Sequence, residues 1–588
     1  MRNMRSFKIM LALATTAFTL FSCKKDFLDR TPETVISDAQ FWKTSNDLKL
    51  YCNSFYTAFP AYTGYGTIGN TGQDADQGSD NMISMSYNTW MNGETVIPSG
   101  QGGWTWGTVR NINYLLANYV KVNEPWNNVK TYVGEARFFR AYFYFNMMKQ
   151  YGALPWLSKP LLPSSPELYN KRLARNIIAD SIIADLDSAI NYLPSKTAAQ
   201  PSRVYKEFAQ AFQSRVALYE GTWEKYLSGT PFGVSGSTGN KYLQKAADAA
   251  NAVMASGLFA LDNAGKDYGY WSLFNQTDYS GSKEVMFWRQ YNLTTGPTHN
   301  WHRYTNSGAG RGLTKNLIDD YLCADGLPVA LSPLYKGDDS LTTVVRGRDP
   351  RLVQTIYVND GAHIITNNQP GGAPNMLFTV PTFSAANEGK PATGYQVYKG
   401  HNPDYFQQYA GDVGTTALIL FRYAEVLLNY AEAKAELGML TQGDADLTIN
   451  KIRSRVGMPA LNIGAIQTDP NWVFPALSPV LNEVRRERRI ELACEGFRHD
   501  DVLRWGAGGK LLTGWKPKGA KLAQWTTVVP ANLLATYPTD ASGYIELYKN
   551  IPAMSVGYKF NAARDYLQPI PLSELQVPNA TIDQNPGW

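Results

Sequence analysis

The chain has 588 residues, with 55 Lys or Arg against 50 Asp or Glu, and its formal net charge is +5. The two signs are interspersed without a long basic arm, which indicates a solvated surface and argues against a nucleic-acid-binding protein. After the first 40 residues only three cysteines remain, Cys52, Cys323 and Cys494. They are scattered and odd in number, so they predict neither a disulfide framework nor a zinc site.

The N-terminus has the layout of a secretory signal. Three basic residues within the first eight precede an apolar run over 9–21. This run is shorter than the roughly 20 residues that a membrane-spanning helix needs. Cys23 then occupies the position of the lipid-accepting cysteine of a bacterial lipoprotein, although Phe21 is bulkier than is usual there. We predict a signal peptide over 1–22, lipidation of Cys23, and a lipidated tether and leader over 23–40.

Helical periodicity dominates much of the remaining chain. An early helix is predicted at 38–59, and eight more at 105–122, 126–151, 172–193, 204–226, 241–256, 417–437, 444–456 and 481–495. Several follow one another as pairs with short connections. Because one pair cannot bury its apolar face alone, the pairs must stack. The prediction is a mostly α fold, a tetratricopeptide-like α-superhelix of about four helix pairs with a large irregular, loop-rich lobe.

Two long regions lack this periodicity. The first is a Gly-rich, aromatic-bearing loop over 60–103, and the second is an insertion with β-prone runs at 285–288 and 353–358. Loops of such length within a folded body are commonly functional. The predicted organisation is a helical N-terminal region over 41–256 that carries the loop, the irregular lobe over 257–416, and a C-terminal helical region with a tail over 417–588.

Aromatic residues are abundant, with 36 Tyr, 24 Phe and 15 Trp. Sugar rings stack on aromatic faces, while amides and carboxylates bond their hydroxyls. Trp301 and Tyr304 are the preferred candidates for such contacts, because they lie in an aperiodic stretch that offers a large ring little core to join. The further candidate glycan-binding residues are Tyr65, Trp90, Trp271 and Trp288, with Asp80 and Asn81 as hydrogen-bonding partners.

Two motif matches lack the context that their chemistry needs. The GxGxxG sequence at 64–69 has neither a preceding buried strand nor a following helix, so we interpret it as a flexible loop. Asp74, Asp76 and Asp80 resemble half of a calcium loop. Met85 stands where the bidentate glutamate belongs, so no metal is predicted there.

The charged run over 483–495 alternates acids and arginines. We interpret it as a helix held by ion pairs between residues three and four apart, with arginines that tie it to loops. The sequence has no nucleophile elbow, phosphate-binding loop or zinc-protease motif. Glycosidase carboxylates pair only in space, and no sequence feature indicates them.

Six blocks carry a resemblance to a known family: CKKDFLD at 23–29, EARFFRAY at 135–142, RDPRL at 348–352, RYAEVLL at 422–428, ERRIEL at 487–492 and NPGW at 585–588. In this order, they make the chain similar to the SusD/RagB-like outer-membrane lipoproteins of Bacteroidetes. The resemblance covers essentially the whole chain. It also implies an α-superhelix of four tetratricopeptide-like pairs with an irregular lobe.

The resemblance implies a non-enzymatic, surface-exposed lipoprotein without a cofactor. Such a protein captures an oligosaccharide or polysaccharide and passes it to a SusC-like, TonB-dependent transporter of the outer membrane. The RagB branch leaves peptide capture as an alternative, and a surface glycoside hydrolase is a third hypothesis. The family's binding loops vary in sequence, so no binding residue is carried over from it.

Overall fold

The computed structural model describes residues 41–62, 75–262, 265–302, 309–358, 391–402, 404–407, 411–578 and 581–588. The predicted signal peptide, Cys23, the leader and the GxGxxG sequence lie outside these ranges. Across the described ranges, no helix has both the length and the apolar character needed to cross a membrane.

Helices form most of the regular structure. They are α1 Ser45–Asn53, α2 Gly107–Asn118, α3 Trp126–Tyr151, α4 Arg175–Tyr192, α5 Lys206–Leu227, α6 Asn240–Ala255, α7 Gly269–Ser272, α8 Lys315–Asp320, α9 Leu341–Val345, α10 Pro350–Thr355, α11 Tyr423–Glu436, α12 Gln442–Leu447, α13 Ile449–Arg455, α14 Pro479–Glu491, α15 Arg498–Arg504, α16 Gly508–Leu511, α17 Ala531–Leu534 and α18 Leu572–Leu575. Short 3₁₀ turns occur at Ser54–Ala58, Tyr119–Lys121, Pro166–Tyr169, Tyr405–Gln407, Leu522–Trp525 and Pro552–Met554.

Consecutive long helices pack on one another in chain order. Helix α3 packs most extensively on α4 and α5 on α6, while α6 contacts α11 and α11 contacts α14. The close approach of α5 and α6 depends on Gly221, because a Cβ atom there would lie 2.8 Å from the backbone nitrogen of Leu243. This stacking confirms the predicted mostly α superhelix.

Within the described residues, two antiparallel ribbons connect distant parts of the chain. Strand β1 (Met82–Ser84) pairs with β3 (Arg311–Leu313), and β2 (Val285–Arg289) pairs with β4 (Leu418–Arg422). The first ribbon therefore joins the 60–103 loop to the lobe. The second joins the lobe to the start of α11 and confirms the predicted strand at 285–288.

The structure corrects three of the predicted elements. The helix predicted over 417–437 begins only at Tyr423, because the preceding apolar run pairs as β4. The helix predicted over 444–456 is divided at Thr448, whose φ of −126° and ψ of −90° are not helical. The early helix begins at Ser45, where the capping box of Thr44 and Asp47 satisfies its first N–H groups.

The strand predicted over 353–358 is also wrong. Asp349 accepts a hydrogen bond from the Arg351 N–H, and Pro350 stands at the first helical position, so this segment starts as α10. Ile356 alone pairs in an isolated bridge, with Val397.

Helix α14 is an unusual core element, because every residue from 481 to 491 is buried although most are charged. Its charges pair with other elements: Glu487 accepts from Arg351 at 2.7 Å, and Glu491 accepts from Arg422 at 2.7 Å and from Arg455 at 2.5 Å. The prediction of ion pairs along the helix is therefore wrong for most of this run. Facing acids and arginines surround the helix on all sides, and only Glu483 and Arg486 form an ion pair within it.

Candidate functional site

A surface pocket of about 240 Å³ lies where the 60–103 loop meets the C-terminal tail. We call it the first-loop pocket; it is lined by Gln77, Gly78, Met82, Ile83, Ser84, Ser86, Tyr87, Asn88, Thr89, Met91, Tyr548 and Tyr558. All lining residues among the described ones are uncharged. The pocket combines tyrosine rings with hydroxyl and amide groups, which is the combination that neutral sugars bind.

Two buried tail residues build the inner wall. The Tyr548 hydroxyl donates to the Ser84 carbonyl at 2.5 Å, and the Tyr558 hydroxyl accepts the Asn88 N–H at 3.2 Å. Trp515 stacks on the Tyr558 ring with centroids 5.7 Å apart. Sequence reasoning missed both tyrosines because they stand more than 440 positions from the loop, in a tail without periodicity. The tyrosines concentrated in that tail were the only signal.

The outer part of the pocket is accessible. Tyr87 is half-buried, with its ring 6.3 Å from that of Tyr548, and Ser86 and Thr89 are exposed. Asn88 accepts the Met91 N–H through its Oδ1 atom at 3.0 Å, which fixes the orientation of the amide. The neighbouring Glu94 carboxylate raises the pKa of Tyr87.

Trp90, a predicted binding residue, lies half-buried beside this pocket. Its indole nitrogen donates to the Asp565 carbonyl at 3.1 Å, and its ring lies 4.5 Å from His499 and 5.4 Å from Phe560. These contacts hold the loop against the tail. They make Trp90 a support of the first-loop pocket.

The predicted acceptors Asp80 and Asn81 are buried under this loop. Asp80 pairs with Arg489 at 2.9 Å and with Arg498 at 2.6 Å, and these guanidinium groups hold the pKa of its carboxyl well below the usual range. Asn81 accepts from Arg489. The structure therefore assigns them to the charged core rather than to a sugar site.

Asp76, predicted as one of the half-loop carboxylates, has a comparable structural role. It accepts N–H bonds from Cys494 at 2.8 Å and Gly496 at 2.9 Å, and thereby fixes the turn after α14. Asp74 lies outside the described residues. Among those that are described, no group of three His, Cys, Asp or Glu side chains is placed to hold a metal ion.

Two tryptophans predicted to stack on sugar instead pack against and hydrogen-bond to residues of the lobe. Trp271 is 3% exposed, lies 5.2 Å from Tyr398 in a stacked arrangement, and donates to the Tyr398 carbonyl. Burial therefore excludes it as a surface platform in this structure. Trp288 is half-buried on β2, where its ring meets Tyr279 edge-on at 6.2 Å and its nitrogen donates to Gln290.

Trp301, one of the two preferred candidates, is 7% exposed. It packs with Tyr62, Tyr291 and Leu418, and the Tyr62 and Trp301 rings are 5.8 Å apart. The expectation that this ring has little core to join is therefore wrong, because the loop and the lobe together build a small core around it. Tyr65 and Tyr304 lie outside the described residues and stay predictions.

Three buried histidines surround this aromatic cluster. His299 donates from Nε2 to the Thr416 carbonyl at 2.9 Å and accepts the Trp301 N–H at 3.2 Å. Burial lowers the pKa of His299 to about 4 and that of His401 to about 3, and it also lowers the pKa of His302. All three imidazoles are neutral at pH 7, because burial disfavours their charged form.

A larger cleft of about 280 Å³ lies between α3, α5, β4 and the turn after α14. Its charged groups pair with one another: Lys149 with Asp500 at 2.7 Å and Arg215 with Glu425 at 2.6 Å. This cleft presents groups of both signs, unlike the uncharged first-loop pocket.

The comparisons with known proteins agree with this architecture. A family model described as the SusD family matches residues 272–588, and one described as "Starch-binding associating with outer membrane" matches 26–218. The chain belongs to the SusD family. The resemblance found in the sequence is thereby confirmed.

Similar proteins cover nearly the whole chain. SusD-like protein P2 of Formosa agariphila is 22% identical over 99% of this chain and 100% of its own. A crystal structure of a SusD-like protein from Bacteroides fragilis has a TM-score of 0.69 at 25% identity, covering 95% of this chain and all of that one. A second from the same species, described as a SusD-like carbohydrate binding protein, has a TM-score of 0.68 at 23% identity, over 92% and 99% of the two chains.

Proposed function

We propose that this SusD-family protein binds a glycan in the first-loop pocket and leaves it intact. The observation that carries the proposal is the pocket itself, where the accessible ring of Tyr87 stands beside the hydroxyl and amide groups of Ser86, Asn88 and Thr89. An aromatic face and uncharged polar groups together match a sugar ring with its hydroxyls. The carbohydrate-binding relative from Bacteroides fragilis supports the same class of ligand.

Replacement of Tyr87 by Ala is expected to weaken glycan binding about tenfold, since a stacked ring contributes roughly 1 kcal/mol beyond its buried area. Isothermal titration calorimetry against a panel of polysaccharides measures this change. Tyr169→Ala, which removes an exposed tyrosine elsewhere, is the matched control. Equal affinities for wild type and Tyr87→Ala would refute this location of the site, and reducing ends released during incubation would contradict a purely binding role.

The setting of this activity is also a proposal. The family description names association with the outer membrane, and the Cys23 signal provides a lipid anchor. In the proposed arrangement the protein faces the cell exterior and delivers its glycan to a SusC-like, TonB-dependent transporter. A body with its ligand pocket on the surface suits capture outside the cell.

A Cys23→Ala variant is expected to lose membrane retention while the released protein keeps its affinity for glycan. The anchor lies outside the described body, and the pocket is built from residues 77–91 and the tail. Fractionation of cells followed by calorimetry on the released protein measures both properties. A released protein that no longer binds glycan would contradict the separation of anchor and site.

Peptide capture is the second candidate, and the larger cleft favours it. Its paired charges of both signs, Lys149–Asp500 and Arg215–Glu425, lie beside the half-buried rings of Tyr142 and Phe497. Peptides offer both charges and apolar side chains to such a surface. A peptide pool that binds, with weakened binding in Arg215→Ala and no binding to the glycan panel, would favour this function.

A further inference from the structure

We propose that the first-loop pocket selects neutral sugars over acidic ones, with Glu94 as the residue that determines this specificity. The inference rests on the proposed glycan-binding function and names the ligand class of the same site. A sugar that bears a carboxylate or a sulfate near Tyr87 is the ligand that the pocket discriminates against.

Two hydrogen bonds hold Glu94 at the pocket rim. Asn92 donates from Nδ2 to the Glu94 carboxylate at 2.5 Å, and this carboxylate lies near enough to the Tyr87 hydroxyl to raise the pKa of that tyrosine. The Glu94 backbone N–H donates to the Thr89 carbonyl at 2.8 Å. Because Tyr87 and Thr89 line the pocket, the carboxylate is fixed beside the ring on which a sugar would stack.

Among the residues that the structure describes, none forms an ion pair with the Glu94 carboxylate, although Arg564 lies nearby. Arg564 approaches through a 2.6 Å hydrogen bond from Nη2 to the Gly93 carbonyl. Its guanidinium forms an ion pair with Asp565 at 2.7 Å, so the Arg564 charge is already balanced. An acidic sugar at Tyr87 would lie close to the negative charge of Glu94. The Debye length is about 10 Å at 0.1 M salt, so the repulsion between these two charges would not be fully screened.

The lining also lacks the groups that recognise anions. Carboxylates and sulfates are bound in proteins chiefly by arginine and lysine, whose charged donors make the strong hydrogen bonds. The accessible donors of the described pocket are the hydroxyls of Ser86 and Thr89 and the Asn88 amide, and these match neutral hydroxyls. Both the repulsion by Glu94 at the rim and the uncharged donors inside the pocket favour neutral sugars over acidic ones.

The experiment uses pairs of oligosaccharides with the same linkage and length. One member of each pair is neutral, and the other contains a uronic acid, a sugar whose C6 is a carboxylate. Titration of the full mature protein at pH 8, where free imidazoles are uncharged, is expected to give at least tenfold tighter binding of the neutral member. Glu94→Gln, which keeps a hydrogen-bonding side chain, should bring the ratio towards one. Raising NaCl from 0.05 to 0.5 M should narrow the wild-type ratio as well.

The outcomes separate the two proposals. If no oligosaccharide of either kind binds, the proposed function fails. If glycans bind and Tyr87→Ala weakens them, but the acidic member binds as tightly as the neutral one, the charge selection is refuted while the function stands. Glu167→Gln removes a carboxylate far along the chain and should leave the ratio at its wild-type value; a change there would show that the effect is not local to Glu94.

Discussion

Replacing Glu491 by Gln is expected to destabilise the protein by about 3–5 kcal/mol, the usual cost of removing one partner from a buried ion pair. The carboxylate of Glu491 is fully buried and accepts from three arginines: Arg351, Arg422 and Arg455. Those arginines hold the pKa of Glu491 far below the usual range of a carboxyl, so it is charged throughout the physiological pH range. Glutamine has nearly the same shape but removes one of the buried negative charges that balance these arginines, whose remaining partners are Asp349, Glu487, Glu284 and Glu495.

Equilibrium unfolding in urea, followed by circular dichroism, measures this loss as a lower midpoint. The control is Glu167→Gln, which removes one partner of the Lys159–Glu167 pair, where the lysine side chain is 62% exposed. Water replaces the lost partner there, so the midpoint should stay unchanged. A midpoint for Glu491→Gln equal to that of the wild type would show that the core network does not stabilise the fold.

Acidification is expected to loosen the lobe around Trp301 before the helical body unfolds. The pKa of His299 is lowered from 6.5 to about 4, so the unfolded segment binds more protons than the folded one between these values. Stability from this residue is complete above pH 6.5 and is lost as the pH falls towards 4. The difference in pKa corresponds to ~3 kcal/mol for His299 alone, and the lowered pKa values of His302 and His401 act in the same direction.

Hydrogen exchange at pH 7 and pH 5 measures this loosening at the backbone amides of residues 299–302 and 414–417. These two segments are paired by an antiparallel bridge between His299 and Gly414. Their protection should fall at pH 5 by more than that of α5 amides, after correction for the intrinsic rate. A His299→Gln variant, which can still donate to the Thr416 carbonyl, should show a smaller pH dependence. Uniform loss of protection along the chain at pH 5 would contradict a local effect.

The helical scaffold could be predicted because its signal is local. Long amphipathic stretches such as 126–151 and 206–227 carry their periodicity and their end signals within the sequence. The apolar run 418–422 has no such local signal, because an uninterrupted apolar segment fits a buried strand as well as a helix. Its assignment depends on β2, which stands more than 130 positions earlier.

The candidate site was less accessible to prediction, since its parts meet only in space. The 60–103 loop was identified as a place for binding, but the tail residues Tyr548 and Tyr558 that complete the pocket were not. The charge of Asp80 led to a wrong prediction. Asp80 looks like an exposed acceptor in a polar loop, and only the fold brings Arg489 and Arg498 to it.

The origin of the pocket walls constrains when the protein becomes competent to bind. Chains are synthesised from the N-terminus, and the 77–91 segment emerges long before Tyr548 and Tyr558. A chain that ends before residue 548 lacks both α18 and the tyrosines of the inner wall, and therefore cannot form the pocket. The proposed site requires the segment that contains Tyr548 and Tyr558, so a chain truncated before this segment is expected not to bind glycan there.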